Sequence, residues 1–275
     1  MADILIRFWG VRGTIACPGL KTVQFGGNTA CVEVRCGQRM VIFDGGTGLR
    51  ELGHYLLRES APVNADIFYS HCHSDHVCGL PFFLPCYSQE TFLRLWAGNL
   101  THRDRLDDAI SRLMSPPLFP TGMEVIKANL EFRHFSVGSA LSPQPGIVLQ
   151  TKLLNHPGGA TGYRLEYKTR SLAYITDTEH SSSGLDKNVL SLAANADIMI
   201  YDCNYTECEY RNRAGWGHST WEQGVRLANA ASAKVLVIFH HDPGHDDAFM
   251  NAVATEASKA RPGTLVAKEG MILQL

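Results

Sequence analysis

Apolar and polar residues alternate along DILIRFWG at the start of the chain, and β-type runs follow in ACVEVRC and RMVIFDGG. The last two are joined by a Gly37-Gln38 turn, so the spacing predicts an opening β-meander. Leu49, Leu52, Leu56 and Leu57 then recur at helical intervals between Thr47 and Arg58, which predicts an amphipathic helix. From Asp66 the pattern returns to a strand, DIFYSH, followed by a histidine-rich turn and a weaker strand, FLRLWAG. The stretch RDRLDDAISRLM predicts a helical insertion at about 101–120, lining a cleft and stopped by Pro116 and Pro117.

Beyond LEFRHF comes a Ser/Pro/Gly loop from Gly138 to Gly146, then three strands, IVLQTKLLNH, GYRLEYK and SLAYITD. Strand and helix alternate thereafter: DIMIYD, a helix after His218, VLVIFHH, a helix near Phe249 to Lys259, and TLVAK. No internal repeat, low-complexity tract or linker divides the chain. With 275 residues, 45% of them hydrophobic, we expect one compact domain over 1–275.

Charge changes this picture little. The formal net charge of −2 gives no whole-protein field for a polyanion, which disfavours a nucleic acid partner while leaving a local basic patch compatible. Eight cysteines without a C-x-x-C pair, and without a secretory leader ahead of them, lead us to expect reduced thiols and a cytoplasmic protein. No apolar run approaches the roughly 18 residues of a membrane span. A homodimer is allowed, although no coiled coil or apolar seam argues for one.

The chemistry is concentrated at HCHSDH, where His71, His73, Asp75 and His76 stand within six residues directly after an apolar strand. Neutral imidazole and carboxylate suit zinc, and also manganese or iron. Side chains of a strand alternate faces, so such a group converges only on the turn that leaves the strand, where it can serve two adjacent metals. Cys72, inside the motif, is expected to pack rather than to ligate.

Four further candidates share that placement. His156 closes IVLQTKLLNH, Asp177 closes SLAYITD, Asp202 closes DIMIYD and His240 closes VLVIF. In α/β sheets ligands gather outside the carboxyl ends of strands, so these segments would deliver their polar tips to one rim. Taken singly, each reads equally as a loop or turn residue.

HCHSDH, with a lone His, a lone Asp and a final His following in order, resembles the H-x-H-x-D-H signature of the metallo-β-lactamase superfamily. IFDGGTG at Asp44 is also similar to the family's N-terminal half. The resemblance implies an α/β fold, a four-layer αββα sandwich with metals at one edge. It further implies two divalent ions, one on His71, His73 and His156, the other on Asp75, His76 and His240, bridged by Asp177. A hydroxide bridging such a pair is available near neutral pH, so no nucleophilic Ser or Cys is needed. His241, adjacent to the strand-ending His240, is left as an outer contact to metal or substrate.

His218 lies outside that set. Ser219-x-x-Glu222 ahead of Val225, Leu227 and Ala228 reads as a capping box, which puts His218 near a positive helix end that favours a phosphate. The order Asp202, His218-Ser219-Thr220, helix, His240 resembles the ribonuclease Z and phosphodiesterase branch, which implies that Asp202 orients His218 as a proton donor. That branch usually carries Glu where this chain has the shorter Asp202. FWGVRGT, FGGNTACVEV and HHDPGHDD are similar to a bacterial subgroup, and imply that Asn28, His245 and Asp246 stand at the rim with His241 as substrate contacts. Together these readings favour hydrolysis of a small phosphodiester, with a cyclic nucleotide as one candidate. A ribonuclease Z-like endonuclease and a thioester or lactone hydrolase are the alternatives.

Overall fold

The computed structural model describes residues 2–59, 61–100, 105–181 and 184–275. The strands are β1 (Ile4–Gly10), β2 (Cys31–Cys36), β3 (Arg39–Phe43), β4 (Asn64–Phe68), β5 (Phe92–Ala97), β6 (Asn129–His134), β7 (Ala140–Leu141), β8 (Ile147–Leu154), β9 (Ala160–Tyr167), β10 (Arg170–Ile175), β11 (Ile198–Asp202), β12 (Val235–Phe239), β13 (Leu265–Val266) and β14 (Ile272–Gln274). The helices are α1 (Gly48–Arg58), α2 (Ser74–Val77), α3 (Leu106–Leu113), α4 (Lys187–Ala193), α5 (Glu207–Tyr210), α6 (Trp221–Ala230) and α7 (Asp247–Ala260). They build two seven-stranded sheets, ordered β14-β1-β2-β3-β4-β5-β6 and β13-β12-β11-β10-β9-β8-β7.

Three apolar cores separate the layers. Ile4, Ile6 and Phe8 of β1 meet Tyr174, Ile200 and Phe239 of the second sheet in the central core. Leu49, Leu52 and Leu56 of α1 and Ile110 of α3 cover the outer face of the first sheet. Val189 of α4, Leu227 of α6 and Met250 of α7 cover the second. The result is the four-layer αββα sandwich that the resemblance implies.

Strand direction explains where the chemistry collects. β1, β2 and β3 run antiparallel as a meander, but β4 and β5 then add in parallel to β3. In the second sheet β10, β11 and β12 are parallel, and β8, two antiparallel pairings away from β10, shares their direction. Parallel strands are covered on both faces, which is why IMIYD is buried throughout rather than alternating. Their carboxyl ends therefore open on a common rim.

The helix after His218 departs from expectation by one residue. Thr220, not Ser219, is the N-cap and accepts a hydrogen bond from the Gln223 backbone. Ser219 is unavailable because it is fully buried, taking the Tyr201 hydroxyl at 2.9 Å and meeting His180 Nδ1 at 2.8 Å. A capping box does form, at Thr206 and Glu209 of α5. FLRLWA, which reads weakly, is an interior strand between β4 and β6. Of the insertion, α3 is helical and residues 101–104 lie outside the described residues.

Candidate metal centre

The strand ends converge as their placement suggests. His71 and His73 follow β4, Asp75 and His76 lie on α2, His156 follows β8, Asp177 follows β10, and His240 immediately follows β12. Ring or carboxylate atoms of His71, His73 and His156 lie within 4.8 Å of one another, as do those of Asp75, His76 and His240. Asp177 stands between the two groups. Its Oδ1 is 3.8 Å from His71 Nε2 and 3.7 Å from His156 Nε2, while its Oδ2 is 3.2 Å from His76 Nε2 and 3.4 Å from His240 Nε2.

Outer partners select which nitrogen each ring presents. His156 gives Nδ1 to the Gly217 carbonyl at 2.8 Å, and His76 gives Nδ1 to Asp44 Oδ2 at 2.9 Å, leaving both Nε2 atoms inward. His71 Nδ1 meets Ser70 Oγ at 3.1 Å, and its buried Nε2 has no hydrogen-bond partner. An orphaned buried imidazole nitrogen aimed at a carboxylate and other imidazoles is what a metal ligand looks like without its ion. The donor set, histidine nitrogen and carboxylate oxygen, fits divalent zinc, manganese or iron.

Asp44 at the end of β3 is the buried keystone of the outer layer. It accepts from the Ser70 backbone at 2.7 Å, the Ser70 hydroxyl at 2.9 Å, the Tyr174 hydroxyl at 2.7 Å, and His76. Leaving such a buried carboxylate unpaired would cost several kcal/mol.

Local backbone geometry turns these groups inward. Asp44, Asp177 and His240 adopt left-handed conformations with φ of 59°, 55° and 62°, which bend the chain at or just beyond a strand end. Asp and His tolerate that region better than most residues, and such conformations cluster at functional sites. Thr14, with φ of 65°, donates its backbone N–H to Asp75 Oδ2 at 2.8 Å. Gly13 beside it has no alternative, because a Cβ there would fall 2.5 Å from the His240 ring.

The electrostatics call for a cation. Burial opposes a charged His76, yet Asp75, Asp177 and Asp44 outweigh it and hold this imidazole well above its ordinary range. His71, where burial is reinforced by His76, is held well below. A divalent ion would satisfy the same carboxylates while all the rings stay neutral. Burial pushes the Cys72 thiol up to about 11, in keeping with packing rather than ligation.

His218 and Asp202 sit at one side of the cluster. His218 Nδ1 is 2.9 Å from Asp202 Oδ2 and 3.8 Å from Asp177 Oδ1. Burial works against protonation of His218, but Asp202, then Asp177 and Asp75, prevail and raise its pKa to about 9. The shorter Asp202 thus reaches its histidine. It is held by the backbone N–H groups of Thr178 and Asn204, each at 3.1 Å.

The cluster opens into a cleft of about 290 Å³ lined by Thr14, His73, Asp75, His156, Trp216 and His218 among others. A larger groove of about 640 Å³, around Arg7, Tyr55 and Tyr167, shares none of these residues. Four residues expected at the rim or on the substrate are absent from the cleft lining. Asn28 is tied to Glu269 through its backbone at 2.6 Å and its side chain at 3.1 Å. His241 is fully buried against the Ala267 carbonyl at 2.8 Å, and burial lowers its pKa to about 3. His245 pairs with Glu209 at 2.7 Å and stacks on Phe249, and Asp246 caps α7.

These polar residues fasten loops instead. Arg12, fully buried, donates to the Gly26, Asp242 and His245 carbonyls and so joins the loop after β1 to the loop after β12. Thr14, Asp44 and Trp216 were not among the sequence candidates for the site. Thr14, closing FWGVRGT, and Asp44, in IFDGG, lie inside motifs that carry the resemblance, whereas Trp216 lies in none.

A family model described as "Beta-lactamase superfamily domain" matches residues 39–241. The chain belongs to that superfamily and is a metal-dependent hydrolase. It is similar to ribonuclease Z of Treponema denticola, at 20% identity over 95% of this chain and 96% of that one. A match to ribonuclease Z of Parabacteroides distasonis, at 30% identity, covers 38% of this chain and only 32% of that protein.

Among solved structures, the metallo-β-lactamase fold protein YhfI from Bacillus subtilis superposes with a TM-score of 0.74 at 16% identity, covering all of both chains. A diphosphatase of the PhnP family gives 0.71 at 19% identity, covering 99% of this chain and 98% of that one. Zn(2+)-bound PqqB from Methylobacterium extorquens gives 0.72 at 15% identity, covering 98% and 100%. These likenesses establish the shared fold. No helix among the described residues is long and apolar enough to cross a membrane.

Proposed function

We propose that the protein is a dinuclear metal-dependent phosphodiesterase acting on a small phosphodiester, with a cyclic nucleotide as a candidate substrate. The observation that carries this reading is the buried Asp202–His218 pair, 2.9 Å apart, beside Asp177 on the wall of the cleft. His71, His73 and His156 would hold one ion, Asp75, His76 and His240 the other, with Asp177 shared; zinc is favoured. When bound, such a pair supplies Lewis acidity and a nucleophile at neutral pH.

The chain's own residues do the rest. With Nδ1 committed to Asp202, His218 presents its other ring nitrogen and can protonate a departing alkoxide. A thioester loses a thiolate, which needs less help than an alkoxide, so a dedicated donor favours the phosphodiester over the thioester. The small cleft suits a small substrate. The second reading, a ribonuclease Z-like endonuclease, is favoured by the nearly full-length similarity to ribonuclease Z. Eight free cysteines accord with a cytoplasmic setting.

The test is a hydrolysis panel on metal-quantified protein, comprising bis(p-nitrophenyl) phosphate, 3′,5′- and 2′,3′-cyclic nucleotides, precursor tRNA and a thioester. Turnover of the small phosphodiesters is expected. Turnover confined to precursor tRNA would favour the second reading, and turnover confined to the thioester would overturn both.

A further inference from the structure

The loop between α5 and His218 carries a feature that the metal centre does not use. Trp216 lines the cleft beside Thr14, His156 and His218, yet 58% of its surface is exposed. Its indole therefore offers an accessible π-face at the mouth of the cleft. The Arg213 guanidinium lies 4.7 Å from the indole centroid and 5.7 Å from the ring of Tyr205, which itself neighbours His218.

The backbone on either side of the indole is fixed as well. Glu179, two residues beyond Asp177, receives the Gly215 N–H at 2.8 Å and the Gly217 N–H at 2.8 Å. It also receives the Tyr210 hydroxyl at 3.0 Å. Gly217 passes so near His156 that a Cβ would fall 2.5 Å from Nδ1, and its φ is +86°. The same glycine carbonyl orients His156. The clamped 215–217 segment thus both carries the indole and, through the Gly217 carbonyl, orients the His156 imidazole.

We infer that Trp216 is a stacking platform for the aromatic base of a nucleoside phosphodiester whose phosphate lies at the His/Asp cluster. This rests on the phosphodiesterase reading and narrows it to substrates that carry a base next to the scissile phosphate. Every nucleobase has a π-face, so the platform selects for a base without choosing among bases. The Arg213 guanidinium, 4.7 Å from the indole centroid, adds a cation–π contact to the ring.

The experiment uses the metal-loaded full-length chain and its Trp216→Ala and Trp216→Phe variants. Calorimetric titration with adenosine 5′-monophosphate and with ribose 5-phosphate measures the preference for a base. The wild type should prefer the nucleotide, Trp216→Ala should lose roughly ten-fold or more of that preference, and Trp216→Phe should keep most of it. An unchanged preference in Trp216→Ala would overturn the platform.

A parallel assay compares thymidine 5′-(p-nitrophenyl phosphate) with methyl p-nitrophenyl phosphate, which share a leaving group and differ in carrying a nucleoside or a methyl group. Loss of the kcat/KM preference for the thymidine ester in Trp216→Ala, carried mainly by KM, supports the platform. A preference unaffected by the variant removes the platform and leaves the phosphodiesterase reading standing. Hydrolysis of neither ester by the wild type removes that reading, and the platform with it.

Discussion

His218 Nδ1 lies 2.9 Å from Asp202 Oδ2, across a separation of sixteen residues, and both groups are buried. On the proposed reading the pair makes His218 a proton donor whose value depends on the leaving group. His218→Ala should lower kcat on an alkyl or ribose leaving group by roughly 10²–10⁴-fold. It should lower kcat on p-nitrophenolate, which departs without a proton, by much less. Asp202→Asn should fall between wild type and His218→Ala. Equal losses on both leaving groups, read from steady-state kinetics, would contradict the donor role.

If His76 ligates metal as proposed, Asp44 orients that ligand from 2.9 Å without touching the ion. Asp44→Asn keeps the shape but weakens acceptance from His76, Ser70 and Tyr174. Metal affinity, measured by competition with a chromophoric chelator, should fall about 10- to 100-fold. An unchanged affinity would show that His76 is oriented by packing alone.

Gly13→Ala tests how closely the loop after β1 is laid against His240. The added methyl would meet the imidazole at 2.5 Å and Asn204 Nδ2 at 2.8 Å. His240 must move, so binding of the second equivalent of metal should weaken more than the first. Equal affinity for both, in a calorimetric titration, would contradict the assignment of His240 to one ion.

His241 gives a signed pH effect in protein stripped of metal. Burial lowers its folded pKa to about 3, whereas an unfolded histidine titrates near 6.5. Between these values only the unfolded chain takes up the proton, so this contribution to stability is present above pH 6.5 and is lost as pH falls toward 3. The full shift corresponds to at most about 5 kcal/mol. Urea melts across this window should show a steeper acid loss for wild type than for His241→Asn, since the asparagine has no proton to gain. Parallel curves would contradict it.

How much of this was legible follows from what each residue depends on. HCHSDH, His156, Asp177, Asp202 and His240 could be read because each stands at or just beyond the end of an apolar strand, and strand direction alone collects such ends. The work of Asp44 rests on Tyr174, 130 positions away, and that of Thr14 on Asp75, 61 positions away, so neither has a local signal. Asn28, His241 and His245 stand at the right height along the chain, but their side chains turn into hydrogen bonds that fasten the loops. β14 has no local signal, because three residues at a sheet edge carry no usable periodicity. α4 did have a signal, Asp186 capping Asn188 and Val189 ahead of Leu190 and Leu192.

The central claim is that Asp177 divides one cluster into two metal positions that work together. It is tested most directly by following the rate of bis(p-nitrophenyl) phosphate hydrolysis while metal is added back to stripped protein, with bound metal counted by elemental analysis. The expected result is a rate that climbs through the second equivalent per chain and levels at two. A rate that levels at one equivalent, or protein that retains no more than one ion at saturation, would contradict a dinuclear centre.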